Sequence, residues 1–92
     1  MIVRILGEGQ FEVPAETLEA LNRVDEDIVE AVERDDEASF TQALEQLLSA
    51  VRDQGKPLPP DYLGSSELVL PARDATLAEV RALLSEEGLI PG

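Results

Sequence analysis

Two runs of carboxylates are the densest groups of potentially reactive side chains in the sequence, Asp25-Glu26-Asp27 and Asp35-Asp36-Glu37. Carboxylates can bind divalent metals or act as acid–base catalysts. A calcium loop needs alternating oxygen ligands, a glycine at its bend and a closing glutamate, and Asp25-Glu26-Asp27 lies in a helical pattern without that glycine. Paired catalytic carboxylates need a concave, partly dry site, and a 92-residue chain with two Phe, one Tyr and no Trp is expected to form little of one. We therefore expect neither a metal site nor catalytic carboxylates.

Nucleophilic catalysis is also not expected. The sequence contains no histidine and no cysteine, which removes the commonest general base and every Ser-His or Cys-His pair. Ser65-Ser66 have no base beside them in the sequence. Gly7-Glu8-Gly9 follows an apolar run as a phosphate loop would, but it lacks the third glycine and the Lys-Ser/Thr pair, and Glu8 would repel phosphate. The sequence predicts no catalytic residue, no cofactor and no enzymatic activity.

The charge balance excludes two further classes of function. Twenty acidic residues against seven basic ones give a formal charge of -13 and a pI of about 4.1. Binding to nucleic acid or to an anionic membrane needs clustered Lys and Arg, so we expect neither as a direct partner. With 43% hydrophobic residues the chain can still form one small core, and a single domain over residues 1–92 is expected. No apolar run approaches a membrane span, and Arg4 interrupts the opening run, which favours a cytoplasmic protein.

The first half of the chain predicts a β-hairpin followed by a helical hairpin. Residues 2–13 contain two apolar, β-branched runs separated by Gly7-Glu8-Gly9, which is typical of two strands and a turn. Apolar residues then recur every three or four positions over residues 15–34, and again from Phe40 to Val51. Asp35 and Asp36 separate the two helices, and Gly55 ends the second in the usual C′ position. Such a short break requires antiparallel helices.

The second half predicts a connector, a third strand and a short helix. Residues 56–66 are rich in proline and are expected to be extended, with Leu58, Tyr62 and Leu63 holding them to the body. Residues 67–70 are a candidate strand, and Thr76-Leu77-Ala78-Glu79 has the pattern of a capping box. A helix then follows until Gly88, with Leu89 as its apolar stop contact. The predicted fold is α+β in the order ββααβα, with the hairpin and third strand packed against the helical hairpin.

The acidity is concentrated in the first helix and the turn after it. Residues 15–37 hold ten acidic residues against two arginines, whereas the second helix and its end are neutral. Three interpretations stay open: a solvated face that keeps the protein soluble, a docking surface for a basic partner, or an overall bias of composition. If the face docks a partner, the candidate contacts are Glu19, Glu26, Asp27, Glu30 and Glu33.

Several stretches are more specific than their composition. They are the opening MIVRILGEGQ, VRDQGKPLP at 51–59, SELVLP at 66–71, ATL at 75–77 and the closing LLSEEGLIPG. Together they resemble the PspA-associated family, PspAA, from end to end and at family length. The resemblance implies a small accessory or regulatory protein encoded beside a PspA homologue, a coiled-coil protein of the phage-shock, ESCRT-III-like class that maintains stressed membranes. No catalytic motif comes with the family.

The resemblance implies that the partner is a PspA-type coiled-coil protein and that the chain reaches the inner face of the membrane only through it. Two alternatives from other classes stay open: an acidic mimic of nucleic acid, and a structural homo-oligomer. Val29 widens the apolar face of the first helix, which favours core over a subunit seam, although either is compatible with the pattern. The tail at Ile90-Pro91 is expected to fold onto its own domain rather than to act as a docking peptide.

Overall fold

The computed structural model describes residues 1–62 and 64–83, without the side chain of Leu83. Leu63, Gly88, Leu89 and the tail at Ile90-Pro91 lie outside the described residues, so the predictions made for them stay predictions. In chain order the elements are β1 (Ile2–Ile5), β2 (Gly9–Glu12), α1 (Thr17–Glu33), α2 (Glu37–Gln54), β3 (Lys56–Pro57), β4 (Leu68–Leu70) and α3 (Leu77–Leu83).

The predicted β-hairpin is confirmed. β1 and β2 are antiparallel, with Ile2 opposite Glu12 and Ile5 opposite Gly9. The turn closes through a hydrogen bond from the Glu8 amide to the Ile5 carbonyl at 2.9 Å. Gly7 and Gly9 have φ values of 85° and 107°, a backbone region that side chains disfavour, so the turn itself requires glycine. The loop at Gly7-Glu8-Gly9 is therefore a hairpin turn.

The sheet has four strands in the order β3-β2-β1-β4 and is mixed. β4 is parallel to β1, with Val3 opposite Leu68 and Ile5 opposite Leu70, which confirms the predicted third strand. The connector contributes an additional two-residue strand, β3, at the edge beside β2. Proline is tolerated in β3 because an edge strand needs amide donors on one side only.

The two long helices form the predicted antiparallel hairpin. Asp35 takes a positive φ of 56° at the reversal, a conformation that Asp tolerates better than most residues. Asp36 is the N-cap of α2, because its Oδ1 accepts the Ser39 amide at 3.2 Å and its Oδ2 accepts the Ser39 hydroxyl at 2.7 Å. These hydrogen bonds lower the pKa of the Asp36 carboxyl. The short segment that separates the two helices thus reverses the direction of the chain at Asp35 and caps the start of α2 with Asp36.

Gly55 ends α2, but not in the left-handed conformation typical of a helix stop. Its φ of -99° and ψ of 163° are extended. A Cβ at this position would lie 2.6 Å from the Val51 carbonyl oxygen, 3.1 Å from Val13 Cγ2 and 3.2 Å from Phe11 Cβ. The glycine is needed for a steric reason, because a side chain here would collide with the backbone of α2 and with Val13 and Phe11.

One hydrophobic core lies between the sheet and the helices. The sheet supplies Val3, Ile5, Leu68 and Leu70, all buried, and α3 adds Leu77 and Val80. Phe40 is the largest fully buried side chain. Val13, directly after β2, is buried as well. The helical hairpin supplies the rest: Leu21, Ile28, Ala31, Val32, Phe40, Ala43, Leu44, Leu47, Leu48 and Val51.

Hydrogen bonds fix the short helix α3 at both ends. The predicted capping box is present, with the Glu79 amide donating to Thr76 Oγ1 at 3.2 Å and the Thr76 amide to Glu79 Oε1 at 3.4 Å. The Leu77 amide donates to Glu37 Oε2 at 3.1 Å, and Arg81 donates to the Val32 carbonyl at 2.7 Å. α3 is therefore attached to the reversal between α1 and α2.

Candidate protein-binding surface

The five acidic residues that the sequence nominated for partner binding are all exposed on α1. Glu19, Glu26, Glu30 and Glu33 are separated by seven, four and three positions, so they form one stripe along the helix. Arg23 interrupts the stripe and pairs with Glu19 at 3.4 Å, with both side chains more than three-quarters exposed. An ion pair of this kind is worth little in water, so the stripe stays strongly negative. Asp27 lies outside the spacing of this stripe and lines a depression together with α2 residues, and Glu30 belongs both to the stripe and to that depression.

The carboxylate run at residues 25–27 is divided between the inside and the outside of the protein. Asp25 is buried on the same face as Leu21, Ile28 and Val32, with only 3% of its surface exposed, and its side chain is not without a partner. Glu26 and Asp27 are exposed. Consistent with this split, residues 1–62 and 64–83 hold no group of three His, Cys, Asp or Glu side chains arranged to hold a metal ion.

The other residues considered for chemistry have structural roles. Ser66 accepts a hydrogen bond at its Oγ from Gln10 Nε2 at 2.7 Å, and the same amide donates to the Gly64 carbonyl at 3.1 Å. Gln10 is nearly buried and thereby fastens the connector across the sheet. Glu8 pairs with Arg52 through two hydrogen bonds, at 2.8 and 2.6 Å. These bonds lower the pKa of Glu8 and raise the pKa of Arg52.

A long groove runs between α1 and α2, and we call it the interhelical groove. It consists of two depressions of about 700 and 260 Å³ that meet at Gln46. Small side chains, including Ala20, Ser49 and Ala50, form much of the larger depression, where α1 begins and α2 ends. Ala43 and Ser39 continue the small-residue floor into the second depression. The larger depression is therefore mostly apolar, whereas the smaller one is mostly polar.

Carboxylates dominate the rims of the interhelical groove. Five line it, Glu16, Asp27, Glu30, Glu45 and Asp53, together with one cation, Arg34. Glu45 also contacts Arg52 at 3.4 Å, but the shorter bonds of that arginine go to Glu8. Carboxylates from the start of α1 and from α2 therefore surround the larger depression, whereas those of the smaller depression come from α1 alone.

Only two of the five predicted contact residues line this groove. Asp27 and Glu30 line it, whereas Glu19, Glu26 and Glu33 do not. The contribution of α2 was not predicted, because the charges of residues 38–56, Glu45 and Asp53 against Arg52 and Lys56, sum to zero. A signal was present in the spacing, since Glu45, Ser49 and Asp53 recur every four positions and therefore share one exposed side of the helix.

Comparison with known proteins gives one match. A protein-family model described as PspA-Associated protein matches residues 1–92, the whole chain. No curated protein and no solved structure matches. Among the described residues, no helix is both long enough and apolar enough to cross a membrane.

Proposed function

Since the chain belongs to the PspA-associated family, we propose that it is a non-enzymatic accessory protein that regulates a PspA-type coiled-coil protein by binding it through the acidic side of its helical hairpin. The single observation that carries the proposal is the stripe of exposed carboxylates on α1, continued by the acidic rims of the interhelical groove. Charge of one sign on one side of a small protein raises association rates with a basic partner and fixes its orientation.

The resemblance implies what the partner looks like. PspA-type proteins are long helical hairpins with basic stretches that meet anionic lipid. An acidic surface of matching helical form would bind those stretches in competition with lipid. The protein would then act in the cytoplasm, in the response to envelope stress, and would reach the membrane only through its partner.

Calorimetric titration of the protein into the PspA homologue encoded beside it, at low and at physiological salt, tests the proposal. We expect saturable binding that weakens as salt rises, because exposed charges are screened within about 8 Å at physiological ionic strength. Absence of binding at both salt concentrations would refute the proposal and leave the family name as a genomic association. Light scattering would then test whether the protein is a homo-oligomer. A competition assay would test whether it displaces DNA from a cognate regulator, as a mimic of nucleic acid should.

Charge-reversal variants locate the contact. We expect Glu26→Lys, Glu30→Lys and Glu33→Lys together to weaken binding and reduce its salt dependence. A matched control changes the net charge equally at three exposed acids elsewhere, Glu12→Lys, Asp61→Lys and Asp74→Lys. Equal affinities of the two triple variants would show that only total charge matters and that the acidic side of the hairpin has no special role.

A further inference from the structure

The charge and shape of the interhelical groove specify more than a basic partner. We propose that the groove receives a single cationic amphipathic helix, which completes a three-helix arrangement with α1 and α2. The identity of the biological partner rests on the function proposed above, whereas the fit of a helix to the groove is a property of this chain alone.

The dimensions of the groove fit a helix. α1 and α2 have 17 and 18 residues, so the groove between them is about 25 Å long at 1.5 Å per residue. A third helix packs into the seam of two others when the side chains at the contact are small enough for close approach. Ala20 on α1 and Ser49 and Ala50 on α2 provide such a floor in the larger depression. An extended peptide would leave its backbone donors and acceptors unpaired over this floor, because two helices present no sheet edge.

The charges of the groove select the chemistry of the occupant. Glu16 and Asp53 lie in the larger depression, and Asp27 and Glu30 lie in the smaller one. Glu16 and Asp27 are eleven positions apart on α1, about 16 Å or three helical turns. A fitting partner helix therefore carries Lys or Arg at positions about three turns apart. At the larger depression these cations flank an apolar patch on both sides, and at the smaller one they lie on the side of α1. A second copy of this chain, with its formal charge of -13, would bring like charges together, and an anionic lipid surface would be repelled.

A defined peptide tests the groove without any assumption about the partner. The probe is an 18-residue helical peptide with an Ala/Leu stripe flanked by lysines three turns apart, and its controls are the same peptide with Glu at each Lys position and a scrambled peptide of identical composition. Amide chemical shifts of the ¹⁵N-labelled protein report the site. We expect saturable shifts at the groove residues on both helices, with affinity for the cationic peptide at least about tenfold above that for the scrambled one, a difference of about 1.4 kcal/mol.

Filling the groove provides the second measurement. Ala20 is exposed, so Ala20→Tyr is expected to fold and to weaken peptide binding about tenfold or more by occupying the floor. Ala78→Tyr, at an exposed position on α3 outside the groove, is the matched control and should bind as the unmodified protein does. The proposal would be overturned by equal affinity of the two variants for the cationic peptide, or by equal affinity of the unmodified protein for the cationic and the Glu peptide. It would also be overturned if no saturable shifts appeared, or if the shifts were confined to the outer stripe of α1.

The same variants separate this inference from the proposed function. If the PspA homologue fails to bind while the cationic peptide occupies the groove, the proposed function is wrong and the groove remains a helix-binding site. If the homologue binds Ala20→Tyr and Ala78→Tyr with equal affinity, and the peptide also has the same affinity for both variants, the proposed function stands and the groove is not its site.

Discussion

Replacing Gly55 by alanine tests whether the end of α2 requires glycine for steric reasons. Alanine at an unstrained position usually stabilises a protein by about 0.4–1 kcal/mol, because it restricts the unfolded chain. Here the added Cβ would lie 2.6 Å from the Val51 carbonyl oxygen and close to two side chains of the neighbouring strand and loop. Overpacking of this kind costs about 1–3 kcal/mol. The contacted oxygen is backbone and cannot rotate away, so we expect the upper end of this cost, about 3 kcal/mol, and the gain from alanine leaves a net loss of about 2 kcal/mol in the free energy of unfolding.

The measurement is urea and thermal unfolding followed by circular dichroism. A loss of about 2 kcal/mol corresponds to a Tm lower by about 8–16 °C for a domain of this size. Gly7 provides the comparison, because its φ is 85° and a Cβ there would meet only Ala72 Cβ at 4.0 Å. At Gly7 asparagine should cost less than alanine, since Asn tolerates a positive φ, whereas at Gly55 the larger asparagine should cost as much as alanine or more. A Gly55→Ala protein as stable as the unmodified one would refute the steric explanation.

Three further predictions concern charge and capping. Raising the salt concentration from low to moderate should raise the Tm, because the crowded carboxylates of α1 repel one another; a Tm that stays flat or falls would show that ion pairs outweigh this repulsion. The pKa of Glu8 is lowered by its hydrogen bonds to Arg52, so the pair should stabilise the fold above the ordinary glutamate pKa and lose that effect as the pH falls through the lowered value. Glu8→Gln should therefore flatten the acid limb of the stability profile, and an unchanged limb would contradict the pairing. Asp36→Ala removes the N-cap of α2 and should cost about 1 kcal/mol in urea unfolding, whereas Asp36→Asn should cost much less; equal losses would argue against capping.

Local signals in the sequence predicted most of the elements, and the structure shows why. The hairpin turn at Gly7 and Gly9, the cap at Asp36 and the capping box at Thr76 each depend on residues within a few positions of one another. The residues that cause each of these three features are therefore close together in the sequence, where a local pattern reveals them. The α+β class followed from the order of these elements.

Features that depend on distant residues were not predictable in the same way. β3 is a Lys-Pro dipeptide with no strand signature, and it is a strand only because β2 lies beside it. The requirement for glycine at position 55 is partly of this kind, because Val13 and Phe11, some forty positions earlier, crowd the place of its Cβ, although the tightest contact, with the Val51 carbonyl, is local. The interhelical groove depends on how two helices pack, which neither helix specifies alone. Asp25 differs from these, because its spacing from Leu21, Ile28 and Val32 already placed it on the apolar face.

The position of β1 inside the sheet has a consequence for the order of folding. On one side β1 pairs with β2, a few residues away, but on the other it pairs in parallel with β4, so that the hydrogen bond between Ile2 and Glu67 joins residues 65 positions apart. Contacts of such high sequence separation form slowly, because the intervening chain must first be ordered. During synthesis the hairpin and both long helices leave the ribosome before β4, and until then β1 has an unpaired edge that can recruit strands from other chains. Docking of β4 thus pairs the open edge of β1 and replaces it with a three-residue strand, and a short edge strand recruits other chains less readily.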